Sequence, residues 1–379
     1  MDAEKRIQAA LTDAVAANGL VGAVAAARLP DGAVAIASAG VRAKGEPQPM
    51  TPDTVFWIAS CTKAITSAAV LQLVEEGRIA LDEPLGQRLP GVTAPQLVSG
   101  FDAAGAPILR AATQPVTARR LLSHTAGYGY DFCNETLARY TAAIGGDQRT
   151  NGQASPLVFE PGAGWTYGVN TDWAGELVTT VAGQGLDAYL ERRIFGPLGM
   201  TETTFSPSEA QRGRRAAMHA RGPDGELGPF AFDMPTPPYF GMGGGGLYST
   251  AGDYLKFLDA ILAGGGPILG PQGYAGLTEP QWEGEEVGVL PPVNGFLCAG
   301  YDPFPGEAKR WSLGFLMNVR PGRNGRSAGS LAWGGLGNCY YWADPAKKVA
   351  GVFLAQHFPF GDPAALAAFG AFERAVYGA

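Results

Sequence analysis

IASCTKAITSAAVLQLVEE, residues 58–76, sets Ser60 and Lys63 three positions apart at the head of an apolar run. The spacing predicts a helix over 60–76, apolar on nearly every face until Gln72, Glu75 and Glu76, and therefore buried. Gly77 is placed to end it in the left-handed conformation. A serine at a helix start is ordinary, because its oxygen can cap a free N–H. The usual companion three residues later is Glu or Gln. A lysine there opposes the positive end of the helix dipole, so Lys63 needs a reason beyond capping.

Catalysis supplies one. A serine hydroxyl is a weak nucleophile until a base takes its proton. Lysine serves as that base if it is neutral near pH 7, and burial among apolar flanks lowers its pKa in that direction. The helix N-terminus acts the same way, and it also suits an oxyanion forming beside Ser60. A four-residue Ser-x-x-Lys pattern by itself is weak evidence; its place at a buried helix start is what gives it weight.

The rest of the 379 residues excludes several classes. Hydrophobic residues make up 46%, enough for a large core, and the net charge is −7 with a pI near 5.1. No basic block suggests nucleic acid. No apolar stretch approaches the ~18 residues of a membrane span, and the charged start MDAEKRIQAALTDAVAANG lacks the order of a signal peptide, so a cytoplasmic protein is expected. Cys61, Cys133, Cys298 and Cys339 form no close pair, so free thiols are expected. His124, His219 and His357 have no partners at metal-ligand spacing; neither a metal nor another cofactor is expected.

Residues 3–18 read as a helix. LVGAVAAARL and GAVAIASAG read as strands joined by a turn at Pro30-Asp31-Gly32. Near the other end RWSLGFLMNV, NCYYWADP and KVAGVFLAQH read as strands, and 362–377 as a closing helix. The middle mixes helices such as TARRLLSH and LDAYLERRIFGPLG with Gly/Pro loops. The order suits an α+β fold: a discontinuous sheet domain (1–60 and 300–379) carrying a mainly helical one (61–299), with the active site between them.

FWIASCTKAITSAAVLQLVEEGRIALDEPL resembles the nucleophile region of the class C β-lactamase-like serine hydrolases. LLSHTAGYGY (121–130), FEPGAGWTYGVNTDWAG (159–175), GGGGLYSTAGDYLKF (243–257) and AWGGLGN (332–338) resemble the same superfamily in the same order. The nearest likeness is to family VIII carboxylesterases, then to related acyltransferases. The resemblance implies the β-lactamase/transpeptidase-like fold, with an antiparallel sheet built from both termini. It implies Ser60 as nucleophile, Lys63 as base, and Tyr167 as the tyrosine that shares proton transfer and protonates the leaving group. Trp333-Gly334-Gly335 matches the strand lining the far wall, and the N–H groups of Ser60 and Leu336 match the oxyanion hole. The implied activity is hydrolysis of short to medium acyl esters through a Ser60 acyl-enzyme. β-Lactamase, D-amino-acid peptidase or amidase, and acyltransferase activities are the alternatives, with a non-catalytic binding protein behind them.

Two departures bear on substrate. Trp333 stands where β-lactamases carry a Lys or His before Thr-Gly, and an indole favours uncharged esters. Arg320, Arg323 and Arg326 are nearby candidates for a replacement cation. Val169 occupies the Asn position of the Tyr-x-Asn motif, and Asn170 is one residue late, which argues against efficient β-lactam turnover.

Blander readings stand beside these. Tyr167 lies among Trp165, Trp173 and Phe159, company that also suits a core aromatic. His124 reads as a structural loop histidine. Tyr128, Tyr130, Phe132, Tyr239 and Phe240 suit either an acyl pocket, with Tyr128 and Tyr239 as candidate substrate-binding residues, or loop packing. GGGGLYST lacks the ending of a phosphate loop and reads as a tight turn near the site. Gly325-Arg326-Ser327-Ala328-Gly329 fits the G-x-S-x-G elbow, with Asp344 and His357 following in order. It lacks the flanking strand and helix, and only 52 residues follow Ser327.

Overall fold

The computed structural model describes residues 3–146, 155–234 and 242–378. Both ends of the chain meet in one sheet. Its strands are β1 (Gly22–Arg28), β2 (Val34–Gly40), β3 (Trp282–Gly284), β4 (Lys309–Trp311), β5 (Leu316–Asn318), β6 (Leu331–Gly335), β7 (Cys339–Asp344) and β8 (Val349–Leu354). They run in the order β2-β1-β8-β7-β6-β5-β4-β3, with every neighbouring pair antiparallel. The β1–β2 turn forms as its sequence suggests: Gly32 takes φ +86° and the Asp31 carboxylate accepts from the Ala33 N–H at 3.0 Å, an Asx turn.

One expected strand is two. RWSLGFLMNV folds back on itself, because Ser312 caps a turn: the Ser312 N–H donates to Phe315 O at 2.9 Å, and the Ser312 hydroxyl accepts from the Phe315 N–H at 3.0 Å. The apolar run hides the break, since both strands it joins are largely buried.

Five helices frame the sheet and the site: α1 (Ala3–Asn18), α2 (Thr62–Glu75), α3 (Asn170–Ala182), α4 (Ala251–Leu262) and α5 (Pro363–Tyr377). Helices α1 and α5 pack on each other. Successive strand side chains point to opposite faces, and β7 divides accordingly. Tyr340 and Trp342 meet Phe369 of α5, while Tyr341 meets Tyr254 of α4 with ring centroids 5.0 Å apart. The sheet is thus covered on both faces, which is why all of β7 and β8 is buried.

Helix α2 is buried from Thr62 to Val74 and packs on α3. Burying it all round explains the near-continuous apolar sequence; Gly77 takes φ +68° just past its end, as expected. The helix begins two residues later than expected, because Ala59–Cys61 forms a single 3₁₀ turn that lies against β6 and β7. That turn carries Ser60 to the edge where helices and sheet meet.

Candidate active site

Ser60 sits on a strained turn. Ala59 takes φ +45°, a region that costs a non-glycine residue of order 1–3 kcal/mol. Its surroundings hold it there: the Thr62 hydroxyl donates to Ala59 O at 2.7 Å, and the Ile58 N–H donates to Leu247 O at 3.0 Å. Phe56 and Trp57 also pair with Ser249 and Tyr248, which brings the glycine segment 243–246 alongside. The segment is the expected tight turn near the site.

Lys63, one helical turn on, is 2% exposed. Its Nζ lies 3.3 Å from Ser60 Oγ, 3.1 Å from Tyr130 Oη and 2.6 Å from Gly244 O. Burial pushes its ammonium down to about 8, against the pull of the Asp172 carboxylate. The base is thereby brought close to neutrality beside its nucleophile.

Tyr167 completes the expected set. Burial pushes its phenol up, while its hydrogen bonds with Ser60 and Trp333 oppose this. The Trp333 indole N–H donates to Tyr167 Oη at 3.0 Å, and the two rings lie 4.9 Å apart. The structure places Trp333 against Tyr167, 2% exposed and edge-on to Trp311. Its bond to the phenol is a contact that the sequence did not announce. His124 is buried and packs on Tyr167 with centroids 5.0 Å apart. Burial and the nearby Lys63 hold it well below the usual histidine range, and its Nδ1 meets Asn170 Nδ2 at 3.1 Å. The same Asn170 amide donates to Tyr128 O at 2.7 Å, so Asn170 ties the 124–128 loop to α3.

The oxyanion-hole candidates depend on close backbone approach. Trp333, Gly334 and Gly335 lie on β6. A Cβ on Gly335 would fall 2.2 Å from Ile58 O, so only glycine lets β6 run this near the Ser60 turn. The following Leu336 is partly buried against the cluster that contains Trp57 and Ala59.

Two neighbours of Lys63 were not read as such from sequence. Tyr130, expected in an acyl pocket or in loop packing, donates toward Asp172 Oδ2 at 3.5 Å besides meeting Lys63. Asp172 also accepts the Gly244 N–H at 2.9 Å, and a Cβ on Gly244 would lie 2.6 Å from its Oδ2. Burial raises the Asp172 carboxyl, and Lys63 and the Gly244 N–H pull it back. An acid in a first helical turn has an ordinary explanation in the dipole, so its sequence position gave no sign of this contact.

Other candidates lie elsewhere. Tyr128 is 1% exposed and packs on Trp173, in the core behind the site. Tyr239 and Phe240 lie outside the described residues. Ser327 presents its N–H, not its hydroxyl, to Asp344 at 2.8 Å, and His357 faces Asp362 at 3.7 Å, so the three do not assemble as a triad. The Arg326 guanidinium is committed to Glu373. Among the described residues no three His, Cys, Asp or Glu side chains converge on a metal-sized site, and no helix is long and apolar enough to cross a membrane.

A beta-lactamase family model matches residues 7–375. The chain belongs to the beta-lactamase family. This family member is 35% identical over 338 residues to acyltransferase calJ of Penicillium decumbens, covering 83% of this chain and 78% of that protein. It is 31% identical to a lovastatin esterase of Penicillium rubens, covering 82% of each. A solved structure of simvastatin synthase from Aspergillus terreus, the LovD6 mutant, superposes with a TM-score of 0.86 at 32% identity, over 98% of this chain and 94% of that one. The fold is the β-lactamase/transpeptidase-like one, and the chain is an enzyme of the serine hydrolase and acyltransferase class.

Proposed function

We propose that the protein is a serine carboxylesterase of the family VIII kind, acting on short to medium acyl esters through a Ser60 acyl-enzyme. The observation that carries this is the Lys63 amine, buried, pushed down to about 8 and 3.3 Å from Ser60 Oγ. Neutral Lys63 takes the Ser60 proton as Oγ attacks the ester carbonyl. The tetrahedral oxyanion is held by the N–H groups of Ser60 and Leu336. Burial keeps Tyr167 protonated near neutral pH, so it is the acid and Lys63 the first base. Trp333 donates to the Tyr167 oxygen, which leaves the phenolic proton free to point at Ser60 and the departing alkoxide. The alcohol leaves with that proton, and Lys63 returns one to Tyr167. Attack by water on the acyl-enzyme, with the proton steps run again, releases the acid and restores Ser60.

Transfer of the same acyl group to an alcohol instead of water is the second reading, favoured by the 35% identity to an acyltransferase. One assay separates the two. With p-nitrophenyl butyrate and a graded acceptor alcohol, an esterase yields butyrate throughout, and an acyltransferase yields the new ester in proportion to acceptor. No p-nitrophenol release from either mixture, or undiminished release by Ser60→Ala, would reject the acyl-enzyme itself.

A further inference from the structure

Lys63 has three polar neighbours, and its two protonation states use them differently. The ammonium has three hydrogens, one for each. The neutral amine has two hydrogens and one lone pair, and it acts as a base toward Ser60 only if the lone pair faces Oγ. The Gly244 carbonyl, 2.6 Å away, accepts only and fixes one hydrogen. The second must go to Tyr130 Oη at 3.1 Å. A hydroxyl both donates and accepts, so the direction of the Tyr130 proton decides the outcome. Pointed at Lys63, it occupies the lone pair and idles the base. Pointed away, it leaves the lone pair to Ser60.

We propose that Asp172 is a positioning residue that aims the Lys63 lone pair at Ser60 by drawing the Tyr130 proton toward itself. Ionised, its carboxylate is acceptor-only. Its Oδ1 takes the Gly244 N–H at 2.9 Å, anchoring the N-terminal side of the residue whose own carbonyl, in the next peptide unit, accepts from Lys63. Its Oδ2 faces Tyr130 Oη at 3.5 Å. One carboxylate thus contacts one acceptor of the amine directly and anchors the residue that carries the other. The inference rests on Ser60 and Lys63 acting as proposed above.

Lys63 also faces Tyr167, whose ring centroid is 4.8 Å from Nζ, together with Cys61, Cys133 and His124. Burial pushes the two thiols and both phenols up and His124 down. Near neutral pH all five are therefore uncharged, and Asp172 is the neighbour whose charge changes Lys63. Its negative charge raises the Lys63 pKa.

Asp172→Asn keeps the shape and tests the proton direction. The Asn oxygen must still accept from Gly244, so its NH₂ turns to Tyr130 and drives that hydroxyl's proton toward Lys63. Plateau kcat/KM should fall about tenfold or more, short of the roughly 10²–10⁴ expected for losing the base. The acidic limb of the pH profile should move to lower pH, because the ammonium has lost a counter-charge. In a Tyr130→Phe background the same substitution should cost several-fold less, since its effect runs through that hydroxyl. Tyr130→Phe alone should lower kcat more than it raises KM, and it is the measurement to rely on if Asp172→Asn does not fold. A plateau within about twofold of wild type with an unmoved acidic limb, and only a lower melting temperature, overturns the proposal; so does a fully active Tyr130→Phe with an unmoved limb. Ser60→Ala, assayed alongside, separates this failure from the failure of the acyl-enzyme: activity there rejects the Ser60 mechanism instead.

Discussion

Replacing Lys63 by methionine removes the amine while keeping an unbranched chain of similar length in a site that is 2% exposed. Two effects follow. Activity should fall at least about a hundredfold in kcat/KM, since general-base catalysis is worth roughly 10²–10⁴. Stability carries a pH signature. The folded pKa is about 8 against 10.5 for a free lysine, and at about 1.4 kcal/mol per pH unit the fold penalises the charged form by about 3 kcal/mol. The folded value is the lower one, so between these two pH values the unfolded chain holds more protons and stability rises with pH. The stability of wild type minus that of Lys63→Met should therefore climb by about 3 kcal/mol from pH 8 to 10.5. Groups that titrate in both proteins cancel in the difference. At neutral pH the methionine relieves the buried charge but leaves Gly244 O and Tyr130 Oη without their donor, each about 1–3 kcal/mol, so the melting temperatures should lie close together. Urea unfolding of both proteins across that range, beside kcat/KM, makes the measurement. A difference that stays flat with pH would refute a lysine driven toward neutrality by burial. Lys63→Arg should be as inactive as Lys63→Met, because guanidinium stays protonated; an active arginine enzyme would refute the base assignment.

Other outcomes follow from the same geometry. Ser327→Ala should retain most esterase activity, as its side chain is not met by Asp344 or His357; loss of activity with intact folding would revive the elbow. Short p-nitrophenyl esters should be turned over far better than nitrocefin, because Trp333 supplies no cation and Arg326 is held by Glu373; equal kcat/KM for the two would contradict this. Trp333→Phe should lower kcat about tenfold with KM nearly unchanged, since it deletes the donor that orients the Tyr167 proton; a change in KM alone would point to substrate contact instead.

Much of the site was legible because its logic is local. Ser60 and Lys63 share one helix face, and the apolar sequence that buries α2 also lowers the lysine. Tyr167 carried no local signal and followed only from resemblance. Tyr130 and Asp172 reach Lys63 across 67 residues in the first case and through Gly244 in the second, and each has an innocent local explanation. The bond from the Trp333 indole to Tyr167 had no signal in the sequence, because sequence gives the strand and not what packs over it. In the fold, α1, α2, α5 and strands β1, β2, β7 and β8 announced themselves by periodicity or burial. Strands β3 and β4 are three residues each, too short for alternation to register, and the turn at Ser312 lies inside an apolar run.

The covalent intermediate on Ser60 is the claim on which everything else depends, and intact-protein mass spectrometry reads it directly. A p-nitrophenyl ester or a slowly released phosphonate ester, followed by peptide mapping, should add one acyl or phosphonyl mass to the peptide containing Ser60. Ser60→Ala should stay unlabelled, and Ser327→Ala should label like wild type. Label on the Ser327 peptide, or stoichiometric label persisting in Ser60→Ala, would contradict it.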